Sequence, residues 1–366
     1  MTITFLLGNG FDLNLGLKTQ YKHFYEYYLS LDKTNDTTVI EAFKNDLADN
    51  LENWSDLEIV LGKYAERFNN ETENDFIELL YNIQDALADY LDKQDSTFTI
   101  SDEDKKKAIS DLILPENYLT LREKQEFLEY KKQINTYNYA LNVISFNYTK
   151  TFENIFGWNG KPLTIGSRRS GNTVFNDEIK LFEHIHGTTD DNMILGVNDS
   201  TQINNEKLKI ATKTIRALIK TEMNLHAGTL RDNRCVSAIH NADLICIYGM
   251  SLGETDKFWW EKICSRLANS NARLIIFSKA NEVPSRRKYM ASNNKDELKN
   301  KLVAHFNYDI QIKKKILNQT FVCLNSNMFK VKLNYPEKKS DITIAFDAVE
   351  KLNESAQKSI KIASSQ

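Results

Sequence analysis

The chain opens on Met1-Thr2-Ile3-Thr4-Phe5-Leu6-Leu7-Gly8-Asn9-Gly10-Phe11-Asp12, an apolar run that ends in a glycine loop, and helical spacing begins at Thr19. This order predicts a buried strand, a tight turn and a helix. In an α/β protein the turn then lies at the carboxyl end of the strand, where doubly wound sheets take nucleotides. Glycines let the backbone approach a pyrophosphate, and free N–H groups at a helix start favour an anion. The loop reads Gly-x-Gly-x-Asp and lacks the third glycine of the dinucleotide fingerprint, so other motifs must carry the assignment.

Further strand signals follow at Ala140–Phe146, Ile179–Ile185, Met193–Val197, Asp243–Tyr248 and Arg273–Phe277, separated by helical patterns at 150–156, 203–225 and 254–269. Strands alternating with helices predict a Rossmann-like, mostly parallel sheet covered on both faces. Residues 1–18 and 136–280 are read as this nucleotide-binding core. Residues 19–135 form a large helical insertion after the first strand. Thr19 is the expected N-cap of Gln20–Leu31, and further helices are expected at 38–52, 55–69, 73–94 and 120–135. Residues 95–119 and 157–178 read as loops, the first with one short helix. Residues 281–366 form a C-terminal α/β extension whose Lys/Ser/Ala-rich end, about 352–366, is expected to fray.

Four polar motifs each end a predicted strand: Gly8-Asn9-Gly10-Phe11-Asp12, Ser145-Phe146-Asn147-Tyr148, His184-Ile185-His186-Gly187 and Gly249-Met250-Ser251-Leu252. In a parallel sheet these ends share one edge, so the motifs converge there. His184 and His186 point to the same strand face, a spacing that suits metal ligation, but no third ligand stands out and no metal is expected. Asn147 could cap a helix beginning near Tyr148, and Asp256 one beginning near Glu254. Asp56 and Glu58 read as a solvated helix face.

The 366 residues carry a net charge of −3, so general attraction to nucleic acid is not expected. The stretch 286–315 is locally basic and reads first as a solvated helix face. Cys235, Cys246, Cys264 and Cys323 are widely spaced, which excludes a zinc knuckle and a disulfide framework and suits a reducing cytoplasm. No apolar run approaches membrane-spanning length, so no membrane partner is expected.

The opening GNGFDLNLGLKTQYKHF, the WSDLE of Trp54–Glu58, SFNYTKTFEN at Ser145–Asn154, HIHG at His184–Gly187 and YGMSLGETD at Tyr248–Asp256 resemble the AbiH family of bacterial phage-resistance proteins. Their order is also similar to that of sirtuin-like domains, including a branch that cleaves NAD in anti-phage systems. The resemblance implies that Gly8 and Gly10, with Asn9 and Phe11 in the same loop, cradle NAD phosphates, and that Asp12 stands near the nicotinamide ribose. It makes Asn147 the residue holding ribose and water, and His186 the catalytic histidine. Gly187, which follows that histidine, is counted among the cofactor-binding residues, and Gly249 and Ser251 hold the adenosine side. There are departures: Asn9 stands where sirtuins have Ala, and Thr149 replaces the Asp that usually follows Asn-Tyr. The cysteine quartet of the deacylase zinc module is absent.

The chemistry is consistent with that assignment. Breaking a nicotinamide–ribose bond develops positive charge at the sugar carbon. A neutral imidazole can accept a proton, an uncharged amide can fix water at any pH, and a carboxylate can hold ribose hydroxyls. The expectation is a cytoplasmic abortive-infection effector that hydrolyses NAD, its substrate, under control of a phage-derived trigger, homo-oligomerisation or a closed helical insertion. The alternatives are a sensor that binds NAD or ADP-ribose without cleavage, and a protein acting on nucleic acid through the basic stretch.

Overall fold

A computed structural model of the chain describes residues 1–49, 56–94, 98–134, 138–282, 284–304 and 306–335. Its strands are β1 (Thr2–Leu7), β2 (Thr99–Ile100), β3 (Ala140–Ser145), β4 (Leu163–Ser170), β5 (Thr173–His184), β6 (Leu244–Tyr248), β7 (Arg273–Ser278), β8 (Thr320–Leu324) and β9 (Leu333–Asn334). Seven form one sheet in the order β4-β5-β3-β1-β6-β7-β8, while β2 and β9 pair separately. All neighbours in the large sheet are parallel except β4, which runs antiparallel to β5. The parallel strands leave β1 in both directions, to β3 and β5 on one side and to β6, β7 and β8 on the other. The order therefore reverses at β1, beside the opening glycine loop.

The apolar runs of β1 and β6 follow from burial on both faces. Ile3, Phe5 and Leu7 join one core cluster, with side chains from α6 (Asp102–Ile113), α7 (Leu121–Lys132) and α8 (Thr151–Phe156). Leu6 belongs to the opposite cluster, built on α11 (Arg231–His240), α12 (Lys257–Asn269), α13 (Ala291–Ala304) and α14 (Ile310–Asn318). Thr4 points the same way and donates its hydroxyl to the Ala238 carbonyl at 2.9 Å, which satisfies a polar group inside that face. Trp259 and Trp260 are both core residues here.

The opening loop runs into the short helix α1 (Gly10–Asn14), and a third cluster is helical. It joins α2 (Tyr21–Ser30), α3 (Thr38–Asp49), α4 (Leu57–Tyr64) and α5 (Glu73–Gln94) to residues from Met193 to Ile219. Thus α2–α5 share a core with residues far along the chain, whereas α6 and α7 pack on the sheet.

Several local expectations are corrected. Met193–Val197 is buried but is not a strand: its only ladder contact among the described residues is an isolated bridge from Val197 to Ile219. The expected loop at 157–178 contains a β-hairpin, β4 and the start of β5. Its polar residues lie at the sheet edge, where no apolar run is required, so the pattern was silent. Residues 102–113 make a full helix, with the Ser101 hydroxyl capping Asp104 N. The single helix expected over 203–225 is instead α9 (Thr212–Leu218) and α10 (Lys220–His226), broken by an extended Ile219. Helix α2 is preceded by Gln20, and the Thr19 hydroxyl bonds Asn9 instead. Trp54, the ends of the helices expected at 38–52 and 120–135, and the tail 352–366 lie outside the described residues.

Candidate functional site

The carboxyl ends of β1, β3, β5, β6, β7 and β8 face one cavity of about 960 Å³, near the upper end of the roughly 300–1,000 Å³ usual for ligand sites. Gly8, Asn9, Gly10 and Asp12 reach it from β1, Asn147 and Thr149 from β3, His186 from β5, and Gly249 and Ser251 from β6. Tyr21, Asp56, Glu58 and Leu87 close it from the helical layer.

The glycine loop has a different local reason from the one its sequence suggested. Gly8 N–H donates to the Tyr248 carbonyl and Gly10 N–H to the Gly249 carbonyl, both at 2.9 Å, and Phe11 N–H donates to Gly8 at 2.9 Å. These donors are spent on backbone oxygens. A Cβ on Gly10 would stand 2.4 Å from Gly249 Cα, and Gly249 itself has φ +70°. The two loops are pressed backbone to backbone, which only glycine permits. Gly10→Ala should separate them and lower stability by about 1–3 kcal/mol, the usual cost of overpacking. Thermal unfolding checks this, and an unchanged midpoint would show that the loops yield freely.

Two of the anticipated residues lie away from the cavity. Phe11 is core, its ring 6.4 Å from Tyr248 and 5.4 Å from Phe329. Gly187 turns the chain with φ +72°, and a Cβ there would strike the Asn192 carbonyl at 2.0 Å. Asn9 binds Thr19 through both ends of its amide, tying the loop to the start of α2. The Asp12 carboxylate is buried and accepts from Thr149 Oγ1 at 2.6 Å, and Thr151 donates to Thr149 in turn at 3.1 Å.

Asn147 and His186 are both nine-tenths or more buried, yet Asn147 Oδ1 and His186 Nε2 have no hydrogen-bond partner among the described residues. Helix α8 begins at Thr151, so Asn147 is not its cap. Its main chain is held from both sides: Asn147 N–H donates to Ser145 Oγ at 3.2 Å, and His184 Nδ1 donates to the Asn147 carbonyl at 2.8 Å. The other His184 nitrogen, Nε2, lies 2.8 Å from Glu153 Oε1. Both nitrogens of His184 are therefore engaged, and its role is to hold the strand end that presents Asn147.

The charged floor of the cavity was not legible. Lys220 Nζ lies 2.8 Å from Glu58 Oε2 and 2.9 Å from Asp256 Oδ1, and Asp256 Oδ1 lies 3.5 Å from His186 Nε2. Glu58 is only 7% exposed, which overturns its reading as part of a solvated helix face. Burial pushes its carboxyl up to about 7 against the pull of Lys220, and Asp256 adds to the rise. Burial, reinforced by the Lys220 charge, lowers His186 to about 3, so its imidazole is neutral near neutral pH. Burial alone would raise Asp256, but Lys220 and His186 outweigh it and hold this carboxyl below its ordinary range. The two carboxylates likewise keep Lys220 charged despite its burial. Asp256 stands at the N-cap of α12 but makes no side-chain cap bond, because its carboxylate serves Lys220. The missed signal was Lys220 itself, a charge directly following the apolar Ala217-Leu218-Ile219 run.

The family model described as Bacteriophage abortive infection AbiH matches residues 4–278, most of the chain and every motif of this cavity. The chain belongs to the AbiH family. The assignment places it among bacteriophage abortive-infection proteins and accounts for residues 4–278, which end with β7; α13, α14 and β8 lie beyond the AbiH match. No curated protein matches the sequence. No described helix of this AbiH chain is long and apolar enough to cross a membrane.

Proposed function

We propose that this AbiH chain binds NAD at the carboxyl edge of its sheet and hydrolyses the nicotinamide–ribose bond, releasing nicotinamide and ADP-ribose as its contribution to abortive infection. The observation that carries this reading is the pair of orphaned, buried side-chain atoms, Asn147 Oδ1 and His186 Nε2, in one cavity where the strand order reverses. Burying an unmade hydrogen bond costs roughly 1–3 kcal/mol, a cost that a ligand carrying hydroxyls or an ordered water would offset.

The order of the six parallel strands supports the reading, because it is that of dinucleotide-binding sheets, 3-2-1-4-5-6 in their own sequence. Two positions of the sirtuin-like pattern also meet one another: Asp12, where sirtuin-like loops often have Ser, accepts from Thr149, which replaces the usual Asp. A hydroxyl–carboxylate pair is thus present with its members on exchanged loops, beside the place expected for ribose. Neutral His186 and uncharged Asn147 suit the binding of ribose hydroxyls and of the attacking water. Control in uninfected cells would fall to a phage-derived trigger or to self-association.

Purified protein incubated with NAD should release free nicotinamide, and His186→Ala should lower the rate by about 10²-fold or more, the scale of losing a group that orients the ribose and the attacking water. Full activity in that variant would sink the assignment. A second reading is a sensor that binds without cleavage, which the departures from the sirtuin-like pattern at Asn9 and Thr149 favour. Tight binding of NAD with no nicotinamide release would select it.

A further inference from the structure

We propose that Glu58, held by Lys220 at the buried end of the cavity, is the group that exchanges a proton with the bound nucleotide and its attacking water. The inference rests on the nucleotide reading above and assigns the proton to a residue outside the sheet motifs. Glu58 lies in the first turn of α4, in the helical layer, whereas Asn147 and His186 come from the sheet. The cavity is therefore completed by two layers, and its only carboxylate–lysine–carboxylate chain among the described residues bridges them.

The surroundings decide which member of that chain can move a proton. Lys220 is fixed by two carboxylates and stays charged. Asp256 accepts from Lys220 and is held as the anion. His186 is buried next to that lysine and binds a proton only in strong acid. Glu58 faces Lys220 and Asp256 from the opposite wall, the Asp56 carboxylate from its own helix cap, and the Tyr21 and Tyr148 phenols. Those phenols are pushed far above neutrality by burial, so they do not compete. Lys220, Asp256, His186 and the two phenols thus keep one state near neutral pH, while burial brings the Glu58 carboxyl into that range, the condition for efficient general acid–base work.

The step balances with water as the only co-reactant. A water O–H gives its proton to the Glu58 carboxylate as the oxygen bonds to the ribose carbon. The C–N bond breaks with its electron pair staying on the pyridinium nitrogen, which leaves as neutral nicotinamide. Glu58 then returns the proton to solvent. Lys220 is a positioning residue that keeps one Glu58 oxygen engaged and its ionised form accessible.

The test uses the full chain and ADP-ribose as the probe, titrated calorimetrically near pH 7 in two buffers of different ionisation heat. Glu58→Gln still accepts from Lys220 and leaves Lys220 paired with Asp256, so the fold should survive. The anionic, water-excluding ligand should drive measurable proton uptake by the wild type, because burial already pushes the Glu58 carboxyl up and the ligand raises it further, and none by Glu58→Gln. In the nicotinamide assay the wild-type rate should rise through about pH 7, and Glu58→Gln should lie about 10²-fold or more lower with that rise lost. Binding with unchanged proton uptake in Glu58→Gln would overturn the role of Glu58 and leave the nucleotide reading standing. Failure of the wild type to bind ADP-ribose would overturn the nucleotide reading, and the inference with it. If the variant does not fold, the side-chain carbons of ¹³C-glutamate in the wild type decide. A glutamate titrating near 7 and perturbed by ADP-ribose supports the proposal, and none titrating there overturns it.

Discussion

Lys220→Met is expected to cost about 3–5 kcal/mol of folding stability, the usual loss when one partner is removed from a buried ionic cluster. The methylene stem is kept, so packing changes little. What changes is that Glu58 and Asp256 lose the cation lying 2.8 and 2.9 Å away, while both remain in a dry site. The size of the loss comes from stranding these carboxylates, since a surface pair would give back only about 0–1 kcal/mol. The pH dependence has a definite sign. Lys220 pulls Glu58 down, so without it the folded-state carboxyl moves further above its ordinary 4.5. From about 4.5 up to that raised value the folded state then holds more protons than the unfolded chain, and stability falls as pH rises. Urea unfolding should therefore show a larger deficit near pH 8 than near pH 5. Adding Glu58→Gln and Asp256→Asn should recover most of the loss. A deficit below about 1 kcal/mol at both pH values would show that water reaches the cluster.

Asn147→Leu is expected to cut nicotinamide release by about 10²-fold or more while leaving folding stability within about 1 kcal/mol of the wild type, or above it. The leucine has nearly the shape of asparagine and removes the buried Oδ1 that lacks a partner. The bonds that hold the strand end use the main chain of Asn147, through Ser145 Oγ and His184 Nδ1, and survive the change. A residue kept for structure would behave in the opposite way, losing stability first. Chemical unfolding and the nicotinamide assay on the same preparation separate the two cases. A fall of more than about 2 kcal/mol with activity retained would make Asn147 a structural residue.

The runs at β1, β3, β6 and β7 are mostly apolar because strands buried on both faces need apolar or hydrogen-bonded side chains throughout, so the parallel sheet was readable from one dimension. The same logic located Asn147, His186 and Gly249, since each follows such a run and parallel strands bring their carboxyl ends to one edge. The hairpin of β4 was not readable, because an edge strand tolerates the polar Ser167-Arg168-Arg169 run. The Met193–Val197 run has the apolar pattern of a strand for the converse reason: apolar content reports burial, and here the burial is inside a helical cluster.

By itself, then, the sequence determined the central parallel strands, their covered faces and the polar strand ends, because these depend on local periodicity and on burial. Only the tertiary structure decided that the glycine loops press on each other, and that Glu58, Lys220 and Asp256 share one buried site. Glu58 and Lys220 are 162 positions apart. Burying a charge is costly unless an opposite charge meets it, and no periodicity in the chain records which distant residue will supply that charge.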